Sequence, residues 1–186
     1  MVTSIDNNIP FLKVFILPYV AWYAFIFIIM AYLCYKDRKT YYITITSYLL
    51  GLIASYITFY FFQTTVPRPD VVGNDILSKI IQIIYRTDKP YNCFPSIHVL
   101  SSFLMIKAIM TSSARNKTNL VIIGSSSALI IISTLFIKQH VILDVFSGII
   151  YADLLFRLVQ TYGVLFWNNI IKLFVTLETR KKLEVE

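Results

Sequence analysis

The side chains in this sequence best suited to chemistry are its only two histidines, His98 and His140, together with Asp144 and Arg68. His140 and Asp144 stand four residues apart in the mostly apolar run from Ser133 to Gly148. On a helix that spacing puts both on one face, one turn apart. The carboxylate can then reach one imidazole nitrogen, fix the tautomer and leave the other nitrogen free to act. The alternative is a buried polar pair that ties two helices together. Ionisable groups at membrane depth are costly and mark functional sites by default, which favours chemistry. His98 ends the segment Pro95-Ser96-Ile97-His98, and Arg68 sits between Pro67 and Pro69.

These residue types suit phosphoryl transfer. A helix N-terminus offers unpaired N–H groups and a positive dipole end, so the backbone around Ser96, Ile97 and His98 is an anion site. Arg68 can grip phosphate oxygens bidentately. His140, oriented by Asp144, can attack phosphorus and form a phosphohistidine, while His98 protonates the leaving oxygen. The scheme calls for no metal or other cofactor, and the sequence holds no cluster with metal-ligand spacing.

Long apolar runs must position these groups. A hydrocarbon core takes ~20 helical residues, and the expected fold is an all-α integral membrane bundle in one domain, 1–186. About five transmembrane helices are expected, over residues 11–35, 41–62, 95–113, 119–137 and 140–160. Pro18 near the start of the first suits a helix that begins close to it after a short interfacial segment. Ser125-Ser126-Ser127 in the fourth permits close helix packing.

The 63–94 loop is the longest polar excursion. Within it Ile76, Leu77, Ile80, Ile81, Ile83 and Ile84 form a stripe behind Asn74, a residue type that caps helices. The reading is an interfacial helix, with packing against the bundle equally open. Asp153 and Arg157 are spaced for an i, i+4 ion pair without a chemical role. After Gly163, an amphipathic C-terminal helix carrying Trp167 and Phe174 ends in Arg180-Lys181-Lys182.

Composition supports the membrane class. Hydrophobic residues make up 57% of the chain, above the ~45–50% usual for soluble domains, and the mean hydropathy is +0.68. The net charge of +7 lies in short loops and the tail, a pattern of membrane orientation rather than of nucleic-acid binding. Eleven cations fall on one side (36, 38, 39, 107, 115, 117, 157, 172 and 180–182) and six on the other (13, 68, 79, 86, 89 and 138). The richer side is expected to be cytoplasmic, which turns the histidines to the extracytoplasmic face of the cell membrane and the C-terminus inward. Cys34 and Cys93 then lie on opposite faces and do not pair.

Arg68-Pro69, Pro95-Ser96-Ile97-His98 and Ser133-x6-His140-x3-Asp144 resemble the three ordered motifs of the type 2 phosphatidic acid phosphatase superfamily. The likeness covers residues 63–148. It implies that His140 is the nucleophile, Asp144 its orienter and His98 the general acid, with Arg68, Ser96 and the backbone at Ile97 binding phosphate. The partners it implies are a lipid phosphate substrate and the bilayer. The activity implied is a metal-independent lipid phosphate or pyrophosphate phosphatase.

Three positions depart from the superfamily pattern: Phe61 stands for a lysine, Ile97 for a glycine and Thr134 for an arginine. Lys138, two residues before His140, is the nearest replacement cation, with Arg86 and Lys89 as looser ones. The Pro-Ser-Ile-His form without the arginine is similar to the inositol phosphorylceramide synthase branch, which keeps a headgroup phosphotransferase as an alternative. A non-catalytic lipid-phosphate binder or transporter is the alternative of another class.

Overall fold

The computed structural model describes residues 2–163, and every regular element among them is helical. The helices are α1 (Ser4–Asn8), α2 (Ile16–Lys36), α3 (Arg38–Phe61), α4 (Ile76–Thr87), α5 (Ile97–Thr111), α6 (Lys117–Phe136) and α7 (Ile142–Leu158). A 3-10 turn (Lys13–Phe15) leads into α2, and a π-helical turn (Val159–Gly163) continues α7. The amphipathic helix expected after Gly163 lies outside the described residues.

Among the described residues, three helices are long and apolar enough to cross a membrane: Lys13–Lys36, α3 and α6. α2 begins at Ile16, so Pro18 occupies its first turn, where a missing N–H breaks no bond. α5 is shorter, with 15 residues, or about 22 Å. Its apolar residues are spread around it rather than confined to one face, as in helices buried at the centre of a bundle. Val99, Leu100, Leu104, Met105, Ala108 and Ile109 are all buried, with α2, α3, α6 and α7 packed around them. α3 comes close because Gly51 has no side chain; an added Cβ would stand 2.9 Å from Leu100 Cδ2.

At the end of the bundle away from the histidines, one carboxylate joins two corners. Asp37 is the single residue between α2 and α3. It caps α3 by accepting from the Thr40 N–H at 3.0 Å, and it also accepts from the Ser112 hydroxyl at 2.9 Å and the Ser113 N–H at 2.7 Å. Lys107, Asp153 and Arg157 form an ion-pair cluster nearby in sequence to these ends, with Lys107 Nζ 2.7 Å and Arg157 Nε 2.6 Å from the Asp153 carboxylate.

α4 serves the bundle. Leu77, Ile80, Ile81 and Ile84 pack against Ile16, Tyr19 and Ile137, while Ile76 and Ile83 stay exposed. Its cap is Asp75 rather than Asn74. The helix starts at Ile76, so Asp75 is the residue whose carboxylate meets the N3 amide, Ser78 N–H, at 3.0 Å.

Candidate active site

The start of α5 and the first turns of α7 touch. Ser96 caps α5, its hydroxyl accepting from the Val99 N–H at 3.4 Å, and its own N–H donates to the Asp144 carbonyl at 3.2 Å. Gly148 makes this possible, because an added Cβ there would lie 2.8 Å from the Ser96 carbonyl oxygen. The rings of His98 and His140 consequently stand with centroids 6.0 Å apart.

His140 is not on the helix. α7 begins at Ile142, two residues later, after an extended Val141. The α6–α7 corner is closed by the Thr134 carbonyl, which accepts from the Gln139 N–H at 2.9 Å and the His140 N–H at 3.1 Å. Lys138 adopts a left-handed φ of 53° in that corner, a place where glycine or asparagine is usual. Asp144, in the first turn of α7, accepts from the Val141 N–H at 3.0 Å and faces His140 Nδ1 at 3.3 Å. The one-face helical geometry expected from spacing is thus replaced by another with the same partners. A first-turn carboxylate is drawn to the unpaired N–H groups at a helix start, which brings it back over the residues before the cap.

The His98 ring lies between Tyr19, at 4.6 Å, and Trp22, at 4.3 Å between centroids. Trp22 Nε1 is held by the Ser101 hydroxyl at 2.8 Å. His98 Nε2 is buried and has no hydrogen-bond partner among the described residues.

Arg68 reaches the same place from the long loop. Its Nη1 donates to the Asp88 carbonyl at 2.6 Å and its Nη2 to Gln139 Oε1, and the guanidinium lies 4.6 Å over the Tyr85 ring. The Asp88 carboxylate is turned to the Tyr19 hydroxyl at 2.9 Å. No carboxylate forms an ion pair with Arg68 among the described residues. Burial pulls the guanidinium below its usual pKa, and the nearby Asp88 charge only partly offsets this.

Arg68, His98, Gln139 and His140 line a cavity of about 200 Å³, which Asp88, Lys89, Asn92 and Ile97 also border. A second cavity, of about 320 Å³, shares Arg68 and His140 and is walled by the N-terminal segment at Asp6, Ile9 and Phe11. Lys138 lines this second cavity, and its Nζ donates to the carbonyls of Asp6 at 3.0 Å and Ile9 at 2.6 Å. The Ser96 side chain is fully buried in its capping role. Arg86 borders neither cavity, whereas Lys89 borders the first.

Residues that spacing alone did not bring forward are Gln139, Asp88, Tyr19, Trp22 and Asp6. Asp6 accepts from the Ile142 N–H at 2.8 Å, at the start of α7. A signal existed for two of them: Tyr19 and Trp22 are three apart and so share a face of α2. The other signal was a polar Gln139 directly before His140.

The family model described as the PAP2 superfamily matches residues 7–158. The chain belongs to the PAP2 superfamily. The matched region contains both histidines, Arg68 and Asp144. Compared with curated proteins and with solved structures, the chain matches none. PAP2 membership supports a lipid-directed function of the phosphatase or phosphotransferase type.

Proposed function

We propose that the protein is a metal-independent lipid phosphate or lipid pyrophosphate phosphatase that works through a phosphohistidine at the extracytoplasmic face of the cell membrane. One observation carries this reading: two imidazoles 6.0 Å apart at a cavity that Arg68 also lines, one with Asp144 on its Nδ1 and the other with an unpartnered Nε2. With Nδ1 directed to Asp144, His140 Nε2 is the attacking atom. It bonds to phosphorus as the bond from phosphorus to the lipid oxygen breaks, and His98 gives that oxygen its proton. Water then attacks the phosphohistidine and yields its proton to His98, and the P–N bond breaks to release phosphate. Arg68 and the N–H groups of Ile97 and His98, at the start of α5, stabilise the equatorial oxygens.

In this reading α5 and α7 complete a five-span bundle with α2, α3 and α6, and α4 lies at the outer interface. The cation asymmetry orients the site outward, with the C-terminal tail in the cytoplasm. Ser96 acts by capping α5 and presenting its free N–H groups. Lys138 acts by holding the α6–α7 corner to the N-terminal segment, since its ammonium is engaged with two carbonyls there.

A headgroup phosphotransferase is the second reading. It is favoured by the second cavity, which shares Arg68 and His140 with the first and offers room for an alcohol acceptor on the other side of the nucleophile.

Purified protein should release phosphate from one or more members of a panel of lipid phosphates and pyrophosphates, with the rate unchanged by a chelator. Adding lipid alcohols separates the readings, because a transferase then forms a new phosphodiester at the expense of free phosphate. Loss of all turnover in chelator, or no turnover on any member with or without acceptor, would sink the metal-independent enzyme.

A further inference from the structure

We propose that Gln139 is a phosphate-binding side chain of this site, standing in for one of the cations the cradle lacks; the assignment rests on the phosphoryl-transfer reading above. Its Oε1 holds Arg68, and its Nε2–H donates to a phosphoryl oxygen. The guanidinium can only donate, so the atom facing Arg68 Nη2 must be the carboxamide oxygen. That fixes the amide orientation and leaves Nε2, a donor only, on the other side.

Gln139 is 2% exposed, and its Nε2 is buried without a partner among the described residues. Five buried side-chain polar atoms share that condition among the described residues: Arg68 Nε, His98 Nε2, Ser102 Oγ, Ser127 Oγ and Gln139 Nε2. Three of the five belong to residues lining the one cavity of about 200 Å³. A buried donor left unpaired is costly, so orphans of this kind are rare and scattered in ordinary cores. Here they gather at one cavity, two of them obligate donors. An oxyanion offers several acceptor oxygens at once and satisfies such a set. A chain of waters would satisfy the donors too, but would leave the buried charge of Arg68 only partly offset by Asp88.

Position adds to this. Gln139 immediately precedes the attacking histidine, and the same Thr134 carbonyl fixes the backbone N–H groups of both. The carboxamide and the attacking imidazole are therefore held by one backbone acceptor. A phosphoryl group seated between them is bound by Gln139 as His140 reacts with it.

Gln139→Glu distinguishes this role from a purely structural one. A glutamate keeps, and strengthens, the acceptor for Arg68 while replacing the donor with a charge that repels oxyanions. Orthovanadate serves as the probe, its binding read from protection of the detergent-solubilised protein against heat unfolding, with no dependence on turnover. Wild type should be protected. Gln139→Glu should bind about 10- to 100-fold more weakly, the range for loss of a hydrogen bond to a charged partner, and the deficit should deepen as pH rises.

A second arm covers a glutamate variant that fails to fold. In an Arg68→Met background, Gln139→Met should weaken orthovanadate binding further, because a direct donor acts without Arg68. Unchanged binding in Gln139→Glu, or no further loss in the double variant, overturns the assignment and leaves the phosphoryl reading standing. Wild type that gains no protection at all overturns both.

Discussion

At the scale of single residues, the two histidines have different surroundings and should fail differently when removed. His140→Ala should abolish any covalent phosphoenzyme, measured by trapping labelled phosphate on the protein. His98→Ala should slow phosphoenzyme formation by ~10²–10⁴-fold with an ordinary lipid phosphate. The loss should be much smaller with a substrate whose leaving group needs no proton. Equal losses for both variants on that activated substrate would reverse the assignment of acid and nucleophile. Both histidines and Asp144 were legible because imidazole and carboxylate are rare in or beside apolar runs, and Arg68 because a guanidinium suits the phosphate chemistry they suggest. Gln139 and Asp88 were not. A carboxamide carries no charge, and Asp88 holds Arg68 with its main-chain carbonyl, which every residue has.

At the scale of helices, the site depends on how closely two elements approach. Gly148→Ala would put a methyl group against the Ser96 carbonyl, and backbone cannot yield as a flexible side chain can. The α5 and α7 starts should move apart, at a cost of ~1–3 kcal/mol in stability. Turnover should fall by more than that instability accounts for, since the His98–His140 distance changes with it. Thermal unfolding and activity measured on the same preparation check this; a variant with wild-type turnover would show that the approach is not critical.

The opposite end of the bundle has its own test. Burial pushes the Asp37 carboxyl up, but hydrogen bonds from Thr40, Ser113 and Ser112 outweigh it and hold the group well below the usual carboxylate range. A depressed folded value means that Asp37 stabilises the bundle above its unfolded value of ~3.9 and ceases to do so as pH falls through the folded one. Asp37→Ala should cost about 1–2 kcal/mol at neutral pH, the scale of a lost helix cap. The difference from wild type, followed by unfolding, should shrink in strong acid. The helical class and the order of α2 to α7 were legible from hydropathy and caps, whereas the short α1 was not. The α7 start and the Asp75 cap were displaced by one or two residues, because hydropathy fixes where a span lies, while local N–H groups fix where a helix begins.

At the scale of the whole molecule, the proposed orientation rests on the eleven-to-six division of cations. Cys34 is exposed and Cys93 buried at 3%. Burial, with the Asp144 charge adding to it, pushes the Cys93 thiol up to about 12, so little thiolate forms there at neutral pH. In intact cells an impermeant thiol reagent should therefore label neither cysteine, and permeabilisation should expose Cys34 alone. Labelling of Cys34 before permeabilisation would turn the molecule over and move the site to the cytoplasm.

The tie between residues 6–9 and the corner that carries His140 bears on how the protein is made. Asp6 meets the start of α7, and Lys138 meets the carbonyls of Asp6 and Ile9, across sequence separations of more than 125 residues. Residues 2–12 are synthesised well before α6 and α7, which carry their polar partners. A contact of that span forms late, after nearer ones have set the bundle. The corner that carries His140 is thus completed only after α7 has been made, and a chain stalled before that point lacks it.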